Sequence, residues 1–360
     1  MFLYIVIFFI VSIFFFNKKA VPIFLYHQVN PLSNVKPELF EEHLKIIKNL
    51  KMNTVTISEY YEKKIMNNSI LLTFDDGYFD NYKYVFPLLK KYNMKATIFL
   101  NTLYIKNKRE NDPEILLNYD ANYKAIENFL KDKNSGSEQY MTWEEIKEMY
   151  DSGLIDFQAH SHKHTAIFTD KKISGFTKKE KMDFTDLYLY GNVSDNYPIF
   201  PKRGEYSARA VKIKKDFFNI FKAYFENNLA NIKEYKEQLK LAQNFIENNI
   251  EFFEKETEEE YITRITNDFI QNKNLIEKNL GNRIHFFCWP WGHRSKEAIK
   301  ILKDLGVKGF ITTKKGTNLQ NPNWDMIRRI ELRNYNIRKF YLNILIARNC
   351  ILGEIYGWLS

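Results

Sequence analysis

Short apolar runs alternate with helix-patterned segments along most of this chain, and that alternation constrains the fold more than any other feature. Residues 70–74 and 96–100 are runs of the kind that form buried strands, whereas residues 39–50 and 82–92 have apolar side chains at three- and four-residue spacing. Strands that alternate with helices predict a parallel sheet with crossover helices. We therefore expect an α/β protein whose functional side chains gather where strands end.

Two adjacent carboxylates follow one of these strand-like runs. In the segment Thr73-Phe74-Asp75-Asp76-Gly77, the acidic pair comes directly after the apolar residues of the run. Side chains alternate faces along a strand, but the chain turns at the strand's end, so neighbouring acids can face one cleft. One acid could then bind a metal ion while the other moves a proton. The alternative is an Asp-Gly pair that only makes a tight turn.

A histidine cluster follows another strand-like run, at residues 154–157. The segment reads His160-Ser161-His162-Lys163-His164. If it forms a helical turn, His160 and His164 lie four positions apart on one face, within reach of a single ion, and His162 points elsewhere. A histidine tract can also bind metal adventitiously. Because both the acids and the histidines end predicted strands, we favour a metal site.

These segments resemble the motifs of a known family, the polysaccharide deacetylases, also called the NodB-homology group or carbohydrate esterase family 4. The TFDDG run, the His-Ser-x-x-His run and the later Trp-Pro-Trp-Gly turn resemble the family's first three motifs. The branch that acts on biofilm polysaccharides is the most similar. The resemblance covers about residues 20–165 and 275–335 and also includes Leu25-Tyr26-His27-Gln28-Val29, residues 306–313 and Arg328-Arg329-Ile330-Glu331.

The resemblance implies a distorted (β/α)7-type barrel with a divalent metal, zinc as the first choice. Carried over by position, Asp76, His160 and His164 are the metal ligands and Asp75 is the general base. Three protein ligands leave a coordination position open for water, which is typical of a catalytic site. The implied reaction is hydrolysis of N-acetyl groups on an amino-sugar polysaccharide or a lipid-linked glycan. A related glycan acyl esterase or deformylase, or a non-catalytic glycan-binding relative, is the alternative.

The chain departs from the family pattern at the general acid and at an arginine. Many members close with a Leu-x-His motif whose histidine protonates the leaving amine, but no such motif follows His293 here. We expect His27 to take that role, with His293 as second candidate. Cys288 stands where the common third motif has the arginine that orients the catalytic aspartate. Arg328 or Arg329 is expected to supply that charge.

The Trp-Pro-Trp-Gly turn is the predicted substrate-binding segment. Trp289, Pro290 and Trp291 are expected to wall a sugar groove, because aromatic faces stack on sugar rings while an indole N–H still finds a partner. Packing in the core is the alternative for both tryptophans.

A long segment interrupts the family resemblance. Residues 166–275 begin with a loop-like stretch, and residues 208–279 have the spacing of nearly continuous helix. Because this is longer than an ordinary barrel connection, we interpret it as a helical insertion between barrel segments 20–165 and 276–360. It could recognise substrate or a partner, or it could only add packing.

The chain begins with an uninterrupted apolar run at residues 2–16, followed by Asn17-Lys18-Lys19. As a helix this run would be about 22 Å long, shorter than a hydrocarbon core of roughly 30 Å. We interpret residues 1–19 as an anchor or signal segment, and expect the protein to be membrane-anchored or exported to the cell envelope, with the side of the membrane left open. The net charge of +9 could mark an anionic partner, but lysine and asparagine are abundant along the whole chain, so a general compositional bias explains most of this charge. No nucleic-acid-binding motif is present, so no nucleic-acid partner is expected.

Overall fold

The structure is a computed structural model that describes residues 20–66, 68–113, 138–332 and 336–359. The predicted anchor or signal segment, residues 1–19, lies outside the described residues. Among the helices of the described ranges, none has the length and apolar character needed to cross a membrane. The membrane prediction therefore stays a prediction.

A curled sheet of parallel strands forms the centre of the molecule. The strands are β1 (Ile23–Tyr26), β2 (Ser69–Phe74), β3 (Ala96–Asn101), β4 (Ile155–Ser161), β5 (Phe286–Cys288), β6 (Gly309–Ile311) and β7 (Ile330–Glu331). Their order in the sheet is β6-β5-β4-β3-β2-β1-β7, and the short strand Asn53–Thr54 pairs with β2 outside this order. Ile327, in the segment that leads into β7, forms a bridge to Ile311 of β6 and so joins the two edges. The predicted α/β class and (β/α)7-type barrel are confirmed.

The strands of this sheet are buried on both faces, which explains their near-continuous apolar runs. Every residue of β1, β2 and β3 is buried. Helices on the outside and side chains in the interior cover the two faces, as expected of a parallel sheet. The carboxyl ends of the strands therefore meet at one end of the barrel.

Helices follow or precede these strands along the chain. Capping boxes define four of the starts. Thr56, Thr142 and Thr257 each exchange hydrogen bonds with a glutamate three residues later, and Asp183 does so with Asp186. The α-helices of the described ranges are α1 (Pro37–Asn49), α2 (Ile57–Tyr61), α3 (Phe86–Tyr92), α4 (Trp143–Asp151), α5 (Phe184–Tyr190), α6 (Asp216–Tyr224), α7 (Tyr235–Glu247), α8 (Glu258–Leu280), α9 (Lys296–Asp304), α10 (Ile337–Ala347) and α11 (Cys350–Leu359).

The predicted insertion contains a second apolar core beside the barrel. This core is rich in phenylalanine and includes Phe168, Phe217, Phe221 and Ile246. Three short antiparallel strand pairs cross the same region: Ala166–Phe168 with Lys202–Gly204, Gly175–Phe176 with Pro198–Ile199, and Val211–Ile213 with Phe253–Lys255.

The prediction of nearly continuous helix over residues 208–279 is wrong. Helices α6, α7 and α8 are separate, and the strand pair of Val211–Ile213 and Phe253–Lys255 brackets the first two. Apolar spacing over a few residues does not distinguish a helix from a short buried strand, and here the aromatic and β-branched side chains pair as strands.

Helix α8 packs into the barrel's own core, together with β4 and α9. Tyr261, Ile265, Phe269 and Ile276 lie on its buried face. The helix thus forms the crossover from β4 to β5, although most of it falls within the predicted insertion. Helix α8 therefore lies beside β4, the strand that ends in the histidine segment.

Candidate active site

The acidic pair lies at the carboxyl end of β2, where the chain turns sharply. Asp75 continues the ladder, because its N–H donates to the Tyr26 carbonyl at 3.1 Å. Asp76 and Gly77 then have positive φ values of 78° and 78°. A Cβ at Gly77 would lie 2.8 Å from the Leu100 side chain, so this turn needs glycine. The turn points the two buried carboxylates to different neighbours.

Asp76 lies between the two predicted histidine ligands. Its Oδ1 is 3.4 Å from His160 Nε2 and 3.5 Å from His164 Nε2. The Asn101 side-chain amide also donates to this oxygen at 3.0 Å. One carboxylate and two imidazoles therefore converge on one point at the barrel end.

The histidines reach that point without the predicted helical turn. His160 belongs to β4, and the chain bends after this strand. His164 has a positive φ of 52°, and its N–H donates to the Ser161 hydroxyl at 2.8 Å. The bend, rather than a shared helical face, brings the His164 imidazole next to that of His160.

The donor set fits a divalent transition metal. His160 Nδ1 is 2.8 Å from the Cys288 carbonyl oxygen, which can only accept, so the ring donates there and presents the lone pair of Nε2. Burial lowers the pKa of His164 to about 4, which favours the neutral form that a ligand needs. Burial would also lower the pKa of His160, but Cys288 and Asp76 outweigh it and raise that pKa, so an ion there would have to displace a proton from this ring. Two imidazoles and a carboxylate suit zinc and related ions.

Asp75 is held by a buried arginine. Arg329 Nη1 and Nη2 each donate to a different oxygen of this carboxylate at 2.7 Å, in the bidentate geometry of strong ion pairs. Burial alone would raise the pKa of Asp75, but the Arg329 guanidinium outweighs that effect and lowers the pKa below its ordinary value. Asp75 is therefore ionised at neutral pH.

Arg329, at the entrance to β7, supplies the charge that the third motif lacks. Its Nε donates to the Thr312 carbonyl at 2.9 Å, and its Nη2 lies 3.0 Å from Cys288 Sγ. Arg328 instead pairs with Glu354 at 2.6 Å. Of the two predicted arginines, only Arg329 contacts Asp75, the predicted general base.

A second group of possible metal ligands lies next to the first, but Arg329 already contacts two of its three members. Asp75, His160 and Cys288 also have ligand atoms within 4.8 Å of one another. The guanidinium contacts both the carboxylate and the thiol, and burial raises the pKa of Cys288, so the sulfur stays protonated. Of the two groups, that of Asp76, His160 and His164 is therefore the one that could hold an ion.

His27 follows β1 at the same end of the barrel. Its side chain is 41% exposed, and its Nδ1 lies 3.9 Å from Glu331 Oε1. The Asn81 amide donates to the His27 carbonyl at 3.0 Å, and the buried Asp80 carboxylate accepts from Val29 N–H at 3.1 Å. The loop that carries this histidine is thus attached to the segment that follows the acidic pair.

The structure places only one member of the predicted Trp-Pro-Trp wall in contact with solvent. Trp289 is fully buried and stacks on Phe310 at 5.2 Å, and Pro290 is buried in the turn, so the prediction is wrong for both. Trp289 continues from β5 into the core, whereas the positive φ of Trp291 turns that side chain outward. Trp291 is 40% exposed, and its ring lies 4.3 Å from that of His164.

Sequence reasoning missed two polar residues of α8 that hold the histidine loop. The Asp268 carboxylate accepts from the N–H groups of His162 at 2.8 Å and Lys163 at 3.3 Å. The Asn272 amide donates to the Ser161 carbonyl and, at 2.9 Å, to the Leu100 carbonyl. Both residues could have been found from the sequence, because they lie on the apolar face of an amphipathic helix, where an unpaired polar group would be costly.

Comparison with known proteins gives matches in sequence to the polysaccharide deacetylases. The family described as Polysaccharide deacetylase matches residues 62–217. YxkH of Bacillus subtilis (strain 168), a protein named for the polysaccharide deacetylases, is 28% identical over 206 residues, which are 54% of this chain and 61% of that protein. A poly-beta-1,6-N-acetyl-D-glucosamine N-deacetylase of Staphylococcus aureus (strain MRSA252) is 26% identical over 195 residues, 48% of this chain and 59% of that protein. The chain thus spans about three fifths of the length of these relatives.

Solved structures share the fold over nearly the whole chain. A de-N-acetylase from Aggregatibacter actinomycetemcomitans superposes with a TM-score of 0.57 at 16% identity, covering 89% of this chain and 99% of that one. The BpsB deacetylase domain from Bordetella bronchiseptica superposes with a TM-score of 0.52 at 17% identity, covering 88% and 96%. The family match over residues 62–217 and the shared barrel agree, so this part of the chain is similar to the polysaccharide deacetylases in sequence and the chain resembles their solved structures in fold.

Proposed function

We propose that this protein is a metal-dependent deacetylase that hydrolyses the N-acetyl groups of an amino-sugar polysaccharide. The observation that carries the proposal is the convergence of Asp76, His160 and His164 beside an ionised Asp75 in a polysaccharide deacetylase domain. The name of the Staphylococcus aureus relative makes poly-β-1,6-N-acetylglucosamine the first polymer to test.

Each residue of the site has a distinct task in this proposal. Asp76, His160 and His164 would hold a divalent ion, zinc as first choice, which when bound supplies Lewis acidity toward water and toward the acetamide carbonyl. Asp75 accepts the proton of the attacking water, because its carboxylate is ionised. Arg329 holds both oxygens of that carboxylate in place and keeps its charge.

The experiment measures acetate release from poly-β-1,6-N-acetylglucosamine oligomers by the full chain. We expect release that stops on chelation, returns with zinc or cobalt, and is absent in His164→Ala, which has lost one of three ligands. Metal content measured on both proteins should show about one ion per wild-type chain and little in the variant. Acetate release that survives complete removal of metal would contradict the proposal. A panel of formyl and O-acyl glycans distinguishes the esterase and deformylase alternatives.

His27 is proposed as the general acid that protonates the departing sugar amine. We expect His27→Gln to slow deacetylation of the glycan by about a hundredfold, the usual contribution of a positioned acid. Hydrolysis of 4-nitrophenyl acetate should fall far less, since its phenolate leaves without a proton. The two rates are compared in one preparation, with His293→Gln as the parallel variant. Equal slowing of both substrates in His27→Gln would contradict the acid role.

A further inference from the structure

One strand of the insertion is registered directly against the metal-site loop. Lys202–Gly204 pairs antiparallel with Ala166–Phe168, which places Gly204 opposite Ala166. Ala166 lies two residues after His164. Any shift of this strand would therefore displace backbone that lies two residues from His164, a proposed metal ligand.

The same strand is also docked on the Trp-Pro-Trp-Gly turn. The Gly204 N–H donates to His293 Nδ1 at 3.0 Å. A Cβ at Gly204 would lie 3.0 Å from the Trp291 ring and 3.1 Å from the Pro290 carbonyl oxygen. Because only glycine permits so close an approach, Gly204 allows this strand to pack directly against the rim of the site.

Docking of the strand leaves a cleft between the tryptophan turn and the start of α5. Trp291 forms one wall, and the cleft is also lined by Thr185 and Arg203. Arg203 is exposed and forms no ion pair with another described residue, in contrast to neighbouring Lys202, which pairs with Asp186 at 2.5 Å. An aromatic face with nearby hydroxyl and guanidinium groups is suited to a sugar ring, which offers an apolar face and several hydroxyls.

We propose that this cleft is a subsite for the sugar unit next to the one that is deacetylated, with Trp291 as its stacking platform and Arg203 and Thr185 as its polar contacts. The inference rests on the proposed function, because a polymer that places one acetamide at the metal site must lay its neighbouring unit along the rim. Trp291 contacts His164, so the cleft begins where the metal site ends. The insertion therefore selects oligomers over single amino sugars.

The test compares binding of the β-1,6-linked N-acetylglucosamine tetramer with binding of the monomer by calorimetry. It uses the wild type, Arg203→Ala, Thr185→Val and, as matched control, Arg209→Ala, another exposed arginine of the insertion that does not line the cleft. We expect the wild type and Arg209→Ala to prefer the tetramer, and the two cleft variants to lose about tenfold in tetramer affinity with little change for the monomer. Thermal melting confirms that each variant is folded.

Acetate release is measured on the same samples, so that the subsite and the proposed function are tested separately. Loss of tetramer preference in both cleft variants supports the subsite, and does so even if the wild type releases no acetate, in which case only the deacetylase proposal fails. Cleft variants that bind the tetramer as tightly as the wild type overturn the subsite, as does a wild type with no tetramer preference. Strong acetate release would not rescue the subsite in either case.

Discussion

Replacement of Asp75 by asparagine is expected to reduce acetate release by about a thousandfold while the protein keeps its metal. The amide cannot accept the proton of the attacking water, and the contribution of a positioned general base lies near that magnitude. The proposed metal ligands are Asp76, His160 and His164, so this change does not alter their cluster. The measurement is the maximal rate on the glycan together with metal content per chain.

The pH profile separates a lost base from a disturbed fold. Because Arg329 lowers the pKa of Asp75 below its ordinary value, the base is ionised throughout the neutral range, and its protonation should not limit the wild-type rate there. In Asp75→Asn the residual rate should rise with hydroxide concentration instead. A variant that retains a tenth or more of the wild-type rate would show that the base lies elsewhere.

The sequence predicted the part of the site that depends on local order. Acids and histidines that directly follow apolar runs must emerge at strand ends, and parallel strands put those ends together. Asp75, Asp76, His160 and His164 were found in this way, and the structure brings all four to one end of the barrel. The location of these residues at strand ends was predicted correctly even though the local conformation was not, because the chain bends before His164 instead of forming the predicted helical turn.

What the sequence could not predict depends on contacts between distant segments. Arg329 and Arg328 are adjacent and equally good candidates by sequence, and only the register of β7 beside β1 decides which one faces Asp75. Trp289 and Trp291 are likewise two residues apart, yet one is core and one is rim because the chain turns between them. Asp268 contacts a loop more than a hundred residues away along the chain. Such pairings follow from topology rather than from spacing.

Removal of Arg329 is expected to be among the most damaging single changes to stability in the described chain. Arg329→Met would leave the buried Asp75 carboxylate without its partner, and loss of one member of a buried pair costs about 3–5 kcal/mol. The free energy of unfolding of Arg329→Lys should lie between those of the wild type and Arg329→Met, because lysine keeps the charge but not the two parallel hydrogen bonds. The free energy of unfolding is measured by denaturant titration at pH 7.

Arg328→Met is the matched control. Arg328 is the preceding residue, and its partner Glu354 is 58% exposed, so the change should cost less than about 1 kcal/mol. If Arg329→Met proves no more destabilising than Arg328→Met, the ion pair with Asp75 does not support the fold. The pH dependence gives a second check. Asp75 has a folded pKa below its unfolded value, so its contribution to stability is present above that unfolded value and is lost as pH falls through the folded pKa.

The double variant Asp75→Asn/Arg329→Met shows what the pair is for. With both charges removed, no uncompensated ion remains buried, so we expect the double variant to be more stable than Arg329→Met alone, and the interaction energy follows from the cycle of four proteins. Acetate release should nevertheless stay as low as in Asp75→Asn. A fold that recovers while activity does not would mean that this buried pair is retained for catalysis rather than for stability.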